Sequence, residues 1–329
     1  MKAKKSAFLL ISLGVLLILQ GCVAPNVKLF TDAQDPLRER LLSGKSAQKV
    51  LIIPVKGKIS DAPQEGMLRS KPSMMQEIVS QLDMAAKDPK VRAVVLVVNS
   101  PGGSAMASDI IYKELTDFKE KTGAKLVVSM LDLAASGGYY ISLPADWIVA
   151  HPITVTGSVG VIMARARVTG LMDKLGLDVT AHTSGRNKDM GSPFRPATDE
   201  EKALFQDITD DMAARFMGLV KERRRLTPEA AAEVSTARIF TAARARELNL
   251  IDEVGYMKDA IAKARSLAGL PEDAKVVAYR RADYPDDNVY NPSTMSAPAR
   301  ASLVDLGLPP LAPASLSPGF YYMWLPGAE

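Results

Sequence analysis

Two short segments of this 329-residue chain hold residue types that could carry out acyl chemistry. The first is Leu133-Ala134-Ala135-Ser136-Gly137-Gly138-Tyr139-Tyr140. Ser136 follows an apolar run at Leu126 to Met130 and opens a small-residue helix predicted over Gly137 to Leu143, so its hydroxyl belongs at a strand-to-helix junction. Alanines and glycines around it let another backbone approach closely, and a helix start favours developing negative charge. A plain serine at a tightly packed helix start fits the same residues. The second segment is Asn99-Ser100-Pro101-Gly102-Gly103, which stops a buried apolar strand abruptly. A glycine pair there would point backbone N–H groups into a crevice, as acyl transfer needs for its tetrahedral oxygen; losing one such donor typically costs ~2.7–4 kcal/mol of barrier. A simple Pro-Gly-Gly turn is the other reading.

A serine hydroxyl needs a group to accept its proton. The chain has only two histidines, His151 and His182. The other base open to a serine is a lysine, which must be neutral to work, and burial lowers a lysine's pKa by disfavouring its charged form.

The elements that must position these groups alternate. Val50 to Val55 and Val91 to Val98 read as buried strands, the latter apolar on both faces. Helices are predicted at Ser73 to Lys87 and Ala107 to Lys119, then strands at Leu126 to Met130, Trp147 to Ala150, Val159 to Ala164 and Val179 to His182. Further helices are predicted at Thr169 to Leu175, 199–225, 228–234, 241–248 and 256–267. Strands alternating with helices indicate an α/β domain with largely parallel sheets. Residues 22–47 read as a polar linker with a short helix at Pro36 to Leu42, 48–268 as the main domain, and 269–329 as a proline-rich tail closed by a strand-like patch at Phe320 to Leu325.

The first 21 residues read as an export signal: Lys2, Lys4 and Lys5 precede the apolar stretch Ala7 to Leu19. Leu19-Gln20-Gly21-Cys22 resembles a bacterial lipobox, with Cys22 as the lipidated residue; an uncleaved helical anchor is the alternative. Val23 after the cysteine resembles the pattern of lipoproteins sent to the outer membrane. Either reading puts the rest of the chain outside the cytoplasm at a membrane surface, and no later apolar run reaches the ~18 residues a span needs. Cys22 is the only cysteine, so an intramolecular disulfide is excluded. Without the three leader lysines the net charge falls from +4 to about +1, which leaves no basic face for nucleic acid.

Asn99 to Gly103, Ala134 to Tyr140, Thr156-Gly157-Ser158-Val159-Gly160-Val161 and Ser184 to Arg195 resemble, in order, the motifs of the SppA-type signal peptide peptidases. Arg238-Ile239-Phe240-Thr241 and Leu250 to Gly255 are similar as well. The resemblance implies a ClpP/crotonase-like fold, a repeated β-β-α superhelix, followed by C-terminal helices and an irregular tail. It implies Ser136 as nucleophile, Lys188 as general base, the N–H groups of Gly103 and Gly102 as oxyanion donors and Ser158 as the residue orienting the lysine. No metal or cofactor is implied; the partners implied are peptides, remnant signal peptides above all, and further copies in a ring. Asn187 departs from the aromatic residue often found before the lysine. Three rivals keep the fold: a crotonase-like acyl-CoA enzyme, a ClpP-like histidine triad and a non-catalytic membrane scaffold.

Overall fold

The computed structural model describes residues 35–65, 70–282, 284, 286–291 and 319–324. Its first half runs β1 (Arg38–Ser43), β2 (Lys49–Lys56), the short pair β3 (Gln64–Glu65) and β4 (Ser70–Lys71), α1 (Met74–Ala86), β5 (Val91–Ser100), β6 (Gly102–Ser104), α2 (Ala105–Thr122), β7 (Lys125–Ala135) and α3 (Gly137–Tyr140). After these come β8 (Trp147–Ala150), β9 (Val155–Gly157), β10 (Ile162–Ala164), α4 (Thr169–Leu175), α5 (Asp199–Arg223), α6 (Pro228–Val234), β11 (Ile239–Thr241) and α7 (Ala242–Glu247). The order closes with β12 (Glu253–Val254), α8 (Met257–Leu267), β13 (Lys275–Arg280) and β14 (Gly319–Met323).

The main sheet has the order β1-β13-β2-β5-β7-β8-β12, with β9 also on β7 and β11 on β9. Pairing from β13 through β12 is parallel, as expected for this α/β class. Successive residues of the central strands serve opposite faces. Leu51, Leu96 and Val128 join the core cluster that includes α1, α2 and α5, whereas Val50, Val95 and Val127 pack with Met257, Ala260 and Ile261 of α8. Burial on both faces is why these strands read as unbroken apolar runs. Caps fix where the helices begin. Ser73 Oγ accepts from Gln76 N–H at 3.1 Å at the start of α1, and a reciprocal Thr198/Glu201 capping box opens α5.

Three local expectations are corrected. Pro36 to Leu42 is not helical: Arg38–Ser43 is strand β1, antiparallel to β13, because an available sheet edge outweighs weak local helix propensity. Residues 275–280, expected within an irregular tail, form β13 between β1 and β2, so the sheet runs past 268. Val179 to His182 is exposed and pairs with no described strand, so its alternation has nothing to bury against. The strand expected over Val159 to Ala164 shortens to Ile162–Ala164. The leader and Cys22 lie outside the described residues.

Candidate active site

Strand β7 pairs in parallel with β9 up to Ala135↔Gly157, and the next residue, Ser136, donates its N–H to the Gly157 carbonyl at 2.8 Å. The chain then turns sharply into α3, with Tyr140 N–H donating to Ser136 O at 2.8 Å. Ser136 makes that turn at φ 53° and ψ −114°, a sparsely populated conformation for a residue with a side chain. Its Oγ is buried and has no hydrogen-bond partner among the described residues. A strained strand-to-helix turn that presents an unspent serine hydroxyl is the local geometry of a nucleophile elbow.

The two glycine segments meet at this point. Gly102, at φ 93°, lies so close to α3 that a Cβ on it would stand 2.6 Å from the Gly137 nitrogen. Only glycine tolerates both the conformation and the contact. Gly102 N–H is held by Ser100 Oγ at 3.1 Å, and that hydroxyl donates onward to Gly57 O at 2.7 Å. Gly103 is turned the other way. Ile59 N–H takes Gly102 O and Ile59 O takes Ser104 N–H, both at 2.9 Å, so Gly103's own N–H and carbonyl face the opposite edge, where β14 lies.

Ser158 follows the Gly157 carbonyl that holds Ser136, and is itself buried at φ 51° with its N–H on Arg238 O at 2.9 Å. Lys188 is exposed, in a turn where its N–H meets Gly185 O at 3.0 Å, and makes no hydrogen bond to Ser136. Its neighbour Asp189 does not pair with it. Asp189 instead takes both Nε and Nη2 of Arg195, at 2.7 and 2.8 Å. Arg195 also donates from Nη1 to the buried Glu201 at 3.0 Å, and from Nη2 to the same carboxylate. The Arg195 hydrogen bonds hold the carboxyls of Asp189 and Glu201 below the usual range. Arg186 and Asn187 reach Glu200 at 2.5 and 3.3 Å. The lysine-bearing turn is therefore latched on both sides to the first turn of α5. Sequence reasoning missed this latch, although Arg195 and the Thr198/Glu201 capping pattern were its visible parts.

His151 packs edge-on to the Tyr256 ring, centroids 5.0 Å apart, and His182 is exposed; neither is hydrogen-bonded to Ser136. Among the described residues no group of three or more His, Cys, Asp or Glu side chains is arranged to hold a metal ion. An aromatic set beside Ser136 also escaped the sequence reading. Tyr140 lies between Tyr112, Phe216 and Tyr322, with centroids 4.8–5.5 Å away.

A parallel α/β sheet that carries a buried serine on a strained turn beside paired glycines has the form of a serine hydrolase. Comparison with known proteins narrows the class. The description of peptidase family S49 matches residues 118–271. A candidate signal peptide peptidase SppA of Enterococcus faecium is 34% identical over 253 residues, 77% of this chain and 73% of that one. Protease 4 of Haemophilus influenzae is 32% identical over 86% of this chain, and the chain spans 46% of it. A protease-named protein of Methanocaldococcus jannaschii is 38% identical over 61% of this chain and 64% of its own length. The chain belongs to peptidase family S49, a family of serine peptidases. Among solved structures it is similar to ClpP1 of Listeria monocytogenes, with a TM-score of 0.40 and 17% identity over 65% of this chain and 95% of that one. A membrane-bound stomatin-specific protease in complex with a substrate peptide gives 0.43 and 15% over 74% and 96%.

Proposed function

We propose that this chain is a membrane-associated serine endopeptidase in which Ser136 is the nucleophile and Lys188 the general base. The observation that carries the reading is the Ser136 hydroxyl: buried, without a partner, and held on a strained turn against the glycine pair. Neutral Lys188 takes the Ser136 proton as Oγ attacks a peptide carbonyl carbon. The carbonyl oxygen becomes an oxyanion facing Gly103 N–H, and the first N–H of α3, on Gly137, is the second donor in reach. Gly102 contributes mainly by its shape, since Ser100 holds its N–H. The C–N bond breaks, the amine leaves with the proton from Lys188, and water then hydrolyses the acyl-enzyme.

Lys188 must leave solvent to act as a neutral base. In the single chain it is exposed, on a stretch that also exposes Leu171, Leu175, Leu177, Val179 and Phe194. Covering that apolar stretch with a second copy would bury the lysine, which favours a homo-oligomer, a ring in our reading, over an isolated chain. Attachment through Cys22 or a retained leader would place the enzyme on the extracytoplasmic side of a bacterial membrane, where remnant signal peptides and other apolar peptides are its substrates; no described helix is long and apolar enough to span.

The test is peptide hydrolysis by the whole chain in detergent, comparing wild type with Ser136→Ala, Lys188→Ala and a His151→Ala/His182→Ala double variant. Both single variants are expected to lose turnover and the histidine variant to keep it. A Lys188→Ala chain that remained active while the histidine variant died would overturn the mechanism.

A further inference from the structure

Strand β14 runs antiparallel between β6 and β10, with Tyr322 opposite Gly103 and Tyr321 opposite Ile162. An extended segment held along both edges is how a peptide adds to a sheet. The register places one residue of this segment at the reaction centre. Trp324 N–H donates to Pro101 O at 2.9 Å, and antiparallel bonding alternates, so Gly103 and Tyr322 form the next bonded pair. The Tyr322 carbonyl oxygen thus faces Gly103 N–H, the donor assigned to the oxyanion. The same oxygen lies 2.0 Å from the position a Cβ would take on Gly102 and 2.9 Å from that on Gly137. It sits in the glycine cradle beside Ser136.

The Tyr322 side chain enters a built pocket. Its ring, 3% exposed, stacks on Tyr140 at 5.0 Å and 21° and tilts against Phe216 at 5.0 Å. Its hydroxyl donates to Met212 O at 3.3 Å at the far end. The Tyr140 wall is itself fixed, since its hydroxyl donates to Asp109 at 2.5 Å and Arg215 holds that carboxylate at 2.6 Å. Two flat ring walls with a carbonyl acceptor beyond them fit a phenol or phenyl group better than a short aliphatic one.

We propose that Tyr322 marks the pocket for the side chain on the acyl side of the cleaved bond, so that the chain cuts extended peptides after aromatic residues, and that β14 is a built-in competitor for the same groove. The inference rests on the serine peptidase reading and goes beyond it in assigning a side-chain preference and an occupant.

Two measurements on the whole chain separate the two ideas. The first is hydrolysis of a peptide set that differs only at the residue before the cleaved bond: Tyr, Phe, Leu, Ala or Lys. Tyr and Phe are expected to give kcat/KM at least tenfold above Ala. Phe216→Leu should flatten that preference, and Tyr322→Ala should lower KM severalfold by weakening the competitor. The second, which needs no turnover, is fluorescence anisotropy of a labelled peptide with the sequence of residues 319–324. Its binding to the Ser136→Ala chain should tighten at least threefold when Tyr322→Ala is added, and should weaken when the tyrosine matching Tyr322 is replaced by alanine in the peptide. Ser136-dependent hydrolysis without aromatic preference, or peptide binding indifferent to both changes, overturns this inference and leaves the peptidase reading standing. Hydrolysis that survives Ser136→Ala overturns the peptidase reading; the binding result then still decides whether the groove takes an aromatic strand.

Discussion

Gly102 and Gly137 lie on different elements, yet a Cβ on Gly102 would stand 2.6 Å from the Gly137 nitrogen, with the backbone already at φ 93°. No side chain can relieve this by turning away, because the clash is with backbone. Gly102→Ala is therefore expected to push β6 off α3 and displace Gly103 N–H from Ser136. Since loss of one oxyanion donor alone lowers kcat by ~10²–10³, turnover should fall by at least that much. Gly123 is the control. It caps α2 at φ 67° with open space where its Cβ would go, so Gly123→Ala should cost about 1 kcal/mol of stability and leave kcat unchanged. Steady-state kinetics with a denaturation curve for each variant checks the pair.

Ser136 combines strain with an unspent hydroxyl, and the two should separate by mutation. Ser136→Gly relaxes a positive-φ residue, a conformation that costs ~1–3 kcal/mol to hold, and removes a buried oxygen that no described residue satisfies. The variant should melt higher than wild type while losing turnover. Ser136→Ala keeps the strain, so it should be inactive with a smaller gain. An active Ser136→Gly chain, or one that melts lower, would contradict this account of the turn.

How much of this was legible beforehand depended on the range of the interaction. Val91 to Val98 could be read as a two-face strand because its burial shows in its own composition. The meeting of Ser136 with Gly102 was legible only as two motifs, since the contact joins segments more than thirty residues apart in the chain. Arg38–Ser43 was misread as helix because its partner β13 lies at the other end of the domain. β14 could be recognised as strand-like from its aromatics, but nothing in its own sequence says which edges hold it. The latch around Lys188 was hidden for a related reason: a charged loop looks solvated until Arg195 is seen to draw Asp189 and Glu201 together.

That latch has a pH signature. Arg195 depresses both the Asp189 and the Glu201 carboxyl, so their contribution to holding the loop is complete above the ordinary carboxylate pKa of ~4 and is lost as pH falls through the depressed folded values. Amide exchange in residues 184–201 should therefore accelerate in acid before the central strands β5 and β7 do. Arg195→Ala should show that acceleration already at neutral pH, with no further acid step. Its turnover should drop by about 10², as expected when a catalytic group is misplaced by about an ångström. Equal protection of the segment in Arg195→Ala and wild type at neutral pH would mean that the latch does not hold it.

Tyr139 and Tyr140 are neighbours on α3 with opposite duties, so the same conservative change should divide stability from kinetics. Tyr139 is fully buried, its hydroxyl donates to Leu250 O at 2.7 Å, and burial pushes its phenol pKa well above the ordinary value. Tyr139→Phe leaves the Leu250 carbonyl without this donor, a loss of ~1–3 kcal/mol, and should lower the melting temperature while kcat and KM stay put. Tyr140→Phe keeps the ring beside the pocket but frees Asp109 to pair with Arg215 alone. With the wall no longer tethered, KM for an aromatic peptide should rise severalfold at little cost in stability. If Tyr139→Phe changed KM as much as Tyr140→Phe did, α3 would be moving as one body, and the pocket could not be ascribed to the Tyr140 side alone.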